Sequence, residues 1–163
     1  MELKNSVYTL VQLQEILGCF TVEDKRYSFQ PLTTGLINDT FLVFSKENPV
    51  YILQRINHNV FSDVNGLMSN ISSALKALKA IDYKELQLVK TIDGSYFTRA
   101  VSGYWRLMGF IPNSTTHNTT VQKETAYEAG RIIGKFHLLL AAQNPLGYID
   151  TIPRFHDIAL REQ

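Results

Sequence analysis

Apolar positions recur at helical spacing near the start of the chain. Leu10, Leu13, Ile16 and Leu17 share one face, which predicts a short helix over residues 9–17. Thr9 can cap it, Gln12 can return the bond in a capping box, and Gly18 suits the stop. The period then changes to two. Tyr27, Phe29 and Pro31 alternate with Ser28 and Gln30, and residues 40–44 and 50–56 are short runs of β-formers. Ser45-Lys46-Glu47-Asn48-Pro49 reads as a hairpin-like turn between the last two. Residues 86–91 form a further strand pattern. Asp93-Gly94 is a hairpin signal with residues 96–101 returning from it, and Ser102-Gly103 turns into a strand over 104–111. Five or six short strands joined by tight turns imply a mostly antiparallel sheet.

Two longer helices complete the pattern. After Asp63, a plausible cap, Leu67, Met68, Ile71, Leu75 and Leu78 fall on one face, which must be buried, with the sheet as the obvious partner. A second helix is expected over 121–142. Glu124, Glu128, Arg131 and Lys135 form its polar stripe, and Ala126, Ala129, Ile133, Phe136 and Leu140 lie opposite. Gly130 and Gly134 each cost about 1 kcal/mol in propensity and therefore suggest close packing or a bend. The residues after this helix carry no regular pattern. The organisation read from the chain is a helical extension over 1–24, a sheet-containing lobe over 25–112, and a linker with the first helix of a second lobe over 113–163. The fold class is α+β.

Composition narrows the classes. The chain has 163 residues and a net charge of +1 from 16 Lys/Arg and 15 Asp/Glu, which gives no electrostatic footprint for nucleic acid. An apolar fraction of 45% fits a globular chain rather than a disordered one. Cys19, the only cysteine, cannot form an internal disulfide and reads as structural. No apolar stretch approaches the roughly 20 residues of a membrane span, and no signal segment precedes the first helix, so the expected location is the cytoplasm.

Three segments could carry chemistry. Thr33-Thr34-Gly35-Leu36-Ile37-Asn38-Asp39 lies between two strands and offers hydroxyls, an amide and backbone N–H groups. It fits a plain β-turn or a loop that covers phosphates, and it lacks the Gly-Lys-Ser/Thr ending of a Walker loop. In Tyr51-Ile52-Leu53-Gln54-Arg55-Ile56, alternation sends Gln54 and Arg55 to opposite faces. Arg55 fits a phosphate fork or a surface arginine equally. Tyr104-Trp105-Arg106-Leu107-Met108-Gly109-Phe110-Ile111-Pro112 could stack a planar base or simply fill a core. His58, His117, His137 and His156 have no metal-ligand spacing, and His137 reads as a hydrogen-bonded core histidine. His156-Asp157 is a sequence neighbour pair that does not define an acid–base geometry.

The order strand, glycine loop, strand, turn, strand, helix, strands, aromatic linker, long helix resembles a kinase amino-terminal lobe running into its carboxyl-terminal lobe. The segments Leu32-Thr33-Thr34-Gly35-Leu36-Ile37-Asn38-Asp39-Thr40-Phe41, Tyr51-Ile52-Leu53-Gln54-Arg55-Ile56-Asn57, Tyr104-Trp105-Arg106-Leu107-Met108, Phe110-Ile111-Pro112-Asn113-Ser114 and Ile152-Pro153-Arg154-Phe155-His156-Asp157 resemble the anomeric N-acetylhexosamine 1-kinases. These are a branch of the aminoglycoside phosphotransferase and choline kinase-like superfamily, and the resemblance spans residues 28–157. It implies a protein kinase-like amino-terminal lobe. The implied reaction is transfer of the ATP γ-phosphate, with Mg²⁺, to the anomeric hydroxyl of an N-acetylhexosamine. Thr33, Thr34, Gly35 and Asn38 match the phosphate-covering loop. Gln54 or Arg55 stands where the third strand presents its phosphate-pairing residue, normally a lysine, and the charge of Arg55 makes it the stronger candidate. Met108, Phe110 and Ile111 match the hinge against which adenine rests. The helix after Asp63 matches the one that normally supplies a carboxylate, yet it contains no glutamate.

The family's catalytic loop, H-x-D-x-x-x-x-N, does not occur in the chain, so the resemblance implies a nucleotide-lobe fragment without turnover of its own. Metal ligands and sugar contacts would lie in a following lobe, and the bare apolar helix face could drive dimerisation. Proteins of this branch sometimes carry the label mucin-desulfating sulfatase. The C/S-x-P-x-R setting of a sulfatase nucleophile is not met by Cys19-Phe20-Thr21-Val22-Glu23. Alternatives are a non-catalytic nucleotide- or protein-binding α+β module, or a related kinase of choline, homoserine or aminoglycoside type.

Overall fold

The structure is a computed structural model and describes residues 8–23, 25–101, 103–117, 119–155 and 157–161. Helix α1 (Leu10–Leu17) begins at Thr9, whose hydroxyl accepts from Gln12 N while the Gln12 side chain accepts from Thr9 N. Both halves of the capping box are thus made. Gly18 ends the helix with right-handed dihedrals, so it stops the helix without using glycine's left-handed freedom.

Strands β1 (Tyr27–Leu32), β2 (Asp39–Ser45) and β3 (Asn48–Ile56) follow as an antiparallel meander. The β2–β3 link is a tight turn through Lys46 and Glu47, with Lys46 at φ 58°. Helix α2 (Val64–Ala77) then crosses over; Asp63 Oδ1 caps it by accepting from Gly66 N at 2.8 Å. The chain returns through β4 (Leu88–Val89), β5 (Thr98–Ala100) and β6 (Gly103–Gly109). All six strands join one antiparallel sheet in the order β1-β2-β3-β6-β4, with β5 also on β6. The architecture is α+β.

The core has two compartments because the strands are buried on both faces. On one face Phe29, Phe41, Val43, Leu53, Trp105 and Leu107 pack against Leu13, Ile16 and Leu17 of α1. Leu13, Ile16, Leu17 and Phe20 therefore make the described segment before β1 part of the sheet's main core and not an appendage to it. On the other face Ile56 packs with Val64 and Met68 of α2, flanked by Leu88, Phe97 and Tyr104.

Several expectations need correction. Asp93-Gly94 does make a tight turn: Gly94 sits at φ 87°, and Thr91 N donates to Ser95 O at 2.7 Å. Yet β4 and β5 do not pair as a hairpin, because each bonds to β6 instead. The expected strand over 86–91 shrinks to Leu88–Val89, with Thr91 drawn into a bridge to Phe20. The strand over 104–111 stops at Gly109, although Phe110 N still donates to Val50 O at 3.0 Å. The last long helix, α3, runs over Lys123–Leu140 and buries none of its residues. A Cβ at Gly130 or Gly134 would meet nothing within 4 Å, so neither glycine serves close packing here. His137 is exposed rather than a core histidine, since the helix that carries it is largely uncovered. Ser102 and His156 lie outside the described residues. A short 3-10 turn, Pro145–Gly147, and α4 (Ile158–Arg161) end the described chain.

Candidate functional site

Register decides which side chains share a face. Thr40, Gln54 and Arg106 face one another across β2, β3 and β6. Two residues further along, Leu42, Ile52 and Met108 form a second row, with Leu88 next to Met108. Alternation puts both rows on the face that α2 covers, about 7 Å apart along the strands. One row is apolar and the other polar and cationic.

The polar row is a connected chain. Arg106 donates from Nε and NH2 to Gln54 Oε1 at 3.0 and 2.6 Å. Gln54 Nε2 donates to Thr40 Oγ1 at 2.9 Å, and Thr40 Oγ1 donates to Asn38 O at 3.3 Å. The guanidinium also reaches Met68 Sδ of α2, a weak acceptor, from NH1 at 3.9 Å. Arg106 is partly buried, and desolvation pulls its pKa below the ordinary arginine value. Among the described residues no carboxylate is ion-paired to it.

Arg55 stands across the sheet. Its neighbours in register are Asp39 and Trp105, on the α1 face. Its NH1 pairs with Asp39 Oδ2 at 3.1 Å, while its Nε is buried without a partner. Gln54, not Arg55, therefore shares a face with Met108.

The loop between β1 and β2 is anchored at one end. Asn57 N donates to Asn38 Oδ1 at 2.9 Å, and Asn57 Nδ2 donates to Ile37 O at 3.1 Å. Thr33, Thr34, Gly35 and Leu36 are exposed, with Leu36 99% accessible. Gly35 has no left-handed φ, and a Cβ there would make only an ordinary contact with Asn38 O at 3.7 Å. Its backbone does not itself demand glycine. Phe110 and Ile111, both half-buried, extend the other end of β6, next to the Leu42–Ile52–Met108 row. The loop and the Phe110–Ile111 segment therefore stand at opposite ends of the strands, with the two rows between them.

Sequence reasoning brought out Gln54 but missed Arg106. The available signal was the tetrad of alternating polar and apolar positions in β6, where Tyr104, Arg106 and Met108 share a face. Only the pairing of β6 with β3 puts Arg106 beside Gln54. Two hollows lie beside or beyond these rows, the second of them reaching Leu88. One of about 520 Å³ adjoins α1, near Gly18, Thr21, Arg26 and Ile92; the other, about 300 Å³, lies between the end of α2 and Glu85, Gln87 and Tyr96. Neither is lined by Thr33, Thr34, Gly35, Asn38, Gln54, Arg55, Met108, Phe110 or Ile111. Among the described residues no group of three or more His, Cys, Asp or Glu could hold a metal ion, and no helix is long and apolar enough to cross a membrane. No protein-family model matches the chain.

Proposed function

We propose that this chain is the ATP-binding lobe of a sugar kinase that phosphorylates the anomeric hydroxyl of an N-acetylhexosamine. The observation that carries the reading is the two-row face. A nucleoside triphosphate has a flat, largely apolar base at one end and anionic oxygens at the other. The face offers Leu42, Ile52 and Met108 beside Phe110 and Ile111, then Gln54 and Arg106, then the Thr33–Asn38 loop. The crossover of α2 between β3 and β4, on the side that Gln54 faces, fits the way kinase lobes meet their third strand with a helix. The departure is that α2 contributes Met68 where a glutamate is usual.

Phosphoryl transfer needs alignment and compensation of charge on the moving oxygens more than covalent help. In this reading Met108, Phe110 and Ile111 hold the base. Thr33, Thr34, Gly35 and Asn38 cover the phosphates, and the polar row holds their oxygens. The catalytic aspartate, the ligands of Mg²⁺ (which neutralises phosphate charge) and the sugar contacts belong to a following lobe. A cytoplasmic location goes with such an enzyme. The N-acetylhexosamine acceptor rests on the segment resemblance alone, and choline, homoserine or aminoglycoside acceptors would use the same face.

Titration calorimetry of the purified chain with ATP and Mg²⁺ tests the reading. Saturable binding without phosphorylation of N-acetylglucosamine or N-acetylgalactosamine is the expected result. Absence of any ATP binding would sink the nucleotide lobe, and sugar turnover would sink the division of labour between lobes. The second reading, a protein-binding α+β module, draws on α3, where Ile132, Ile133, Phe136 and Leu138 are exposed. It would be favoured by a chain that ignores ATP.

A further inference from the structure

Arg106 is a guanidinium in a partly dry place without a described counter-anion. Its strongest acceptor is a single neutral amide oxygen, Gln54 Oε1. Helix α2, which covers this face, contains no aspartate or glutamate. Taking a cation out of water without a carboxylate partner is unfavourable, and an arriving anion would offset that cost. Two N–H donors on one oxygen also lock the fork in place, so the NH1 edge is held with only a thioether beside it. Gln54 is in turn held by Thr40, and Thr40 by the backbone of Asn38, so the fork and the loop are one hydrogen-bonded unit.

We infer that Arg106, held in place by Gln54, is the polyphosphate-binding cation of this protein, taking from β6 the role that a third-strand lysine plays in other kinases. The inference deepens the nucleotide-lobe reading and rests on it for the identity of the ligand as ATP. Gln54 is a positioning residue: its neutral amide orients the fork without cancelling its charge. A carboxylate at the same point would orient it equally and cancel it.

That difference supplies the test. Gln54→Glu keeps the geometry, gives Arg106 an internal counter-ion, and should melt no lower than the natural chain. Its affinity for ATP and for inorganic tripolyphosphate should nevertheless fall about ten- to a hundredfold, the worth of a charge-assisted contact. Arg106→Gln should lose as much, and adenosine binding should be unchanged in both. Arg55→Ala, altered on the opposite face, should bind ATP as the natural chain does. The readout is calorimetry, with thermal melts to show that each variant is folded. If Gln54→Glu and Arg106→Gln bind ATP and tripolyphosphate undiminished, Arg106 has a packing role and the inference is wrong, while the nucleotide lobe stands. If the natural chain binds tripolyphosphate through Arg106 but gains nothing from the adenosine moiety, the cation assignment stands and the nucleotide reading falls. Binding of neither ligand overturns both.

Discussion

Gly103 lacks a side chain where Arg55 passes over β6. A Cβ there would stand 2.7 Å from Arg55 Nε, 3.1 Å from Cδ and 3.3 Å from Cγ. These are mid-chain atoms of a side chain tied to Asp39, so they cannot swing aside cheaply. Gly103→Ala should therefore lower stability by about 1–3 kcal/mol, as overpacking does. A drop in the urea midpoint at unchanged slope is the measurement, and an unmoved midpoint would mean that Arg55 relocates freely. The same pair shows what a sequence conveys at this scale. Period-two alternation separates Gln54 from Arg55, because backbone geometry alone requires it. Which of them shares a face with Met108 depends on the bonding of β3 to β6, a contact between segments some 50 positions apart. Charge favours Arg55 on paper. The fold commits that charge to Asp39 and places the overlooked Arg106 beside Gln54.

Helix caps and tight turns were legible, because their bonds close within a few residues. Thr9 with Gln12 and Asp63 with Gly66 are cases where a local pattern suffices. The Asp93-Gly94 turn is equally local and is made, but the partners of its flanking segments are chosen elsewhere, on β6. Besides lying against α2, helix α3 is joined to the rest of the molecule by charges: Lys135 Nζ lies 2.9 Å from Asp82 Oδ1, and Arg131 NH1 lies 4.0 Å from Asp82 Oδ2. The hydrogen bond from Lys135 is the main reason that the Asp82 carboxyl sits below its ordinary value of 3.8. Because the folded value is the lower one, this contribution is complete above the ordinary aspartate range and is lost as pH falls through the folded value. Amides of α3 should lose hydrogen-exchange protection, corrected for intrinsic rate, as the pH falls from about 5 to below about 3. Lys135→Met should start less protected and show a smaller pH response. An equal response in the two proteins would assign the acid effect to other groups.

At the scale of the whole molecule, the sheet with α1, α2 and the residues next to them holds the buried apolar residues among those described. Among the described residues, the segment from Thr115 onward meets it at Asp82, at Asn70, which both donates to Ile149 O at 2.7 Å and accepts from Ile149 N at 3.0 Å, and along α2, where the Ile149 side chain lies over Gly66. Residues 113–117 and 119–124 are exposed. Limited trypsinolysis should cut first near Lys123, and the amino-terminal product should melt within a few degrees of the intact chain. A collapse of that product would show that α3 contributes more than surface ion pairs.

By itself the sequence determined the elements and the alternation of faces: amphipathic period, caps and turn residues act within one turn or one strand, and those energies do not depend on distant partners. It also supplied the hydroxyl, amide and guanidinium groups carried by the strands and by the loop between β1 and β2. Only the tertiary structure decided that α1 packs into the main core, that β4 and β5 share β6 instead of each other, and that Arg106 stands across from Gln54 on the face away from Arg55. Those choices follow from strand pairing and from burial on two faces at once, which are settled between segments far apart in the chain.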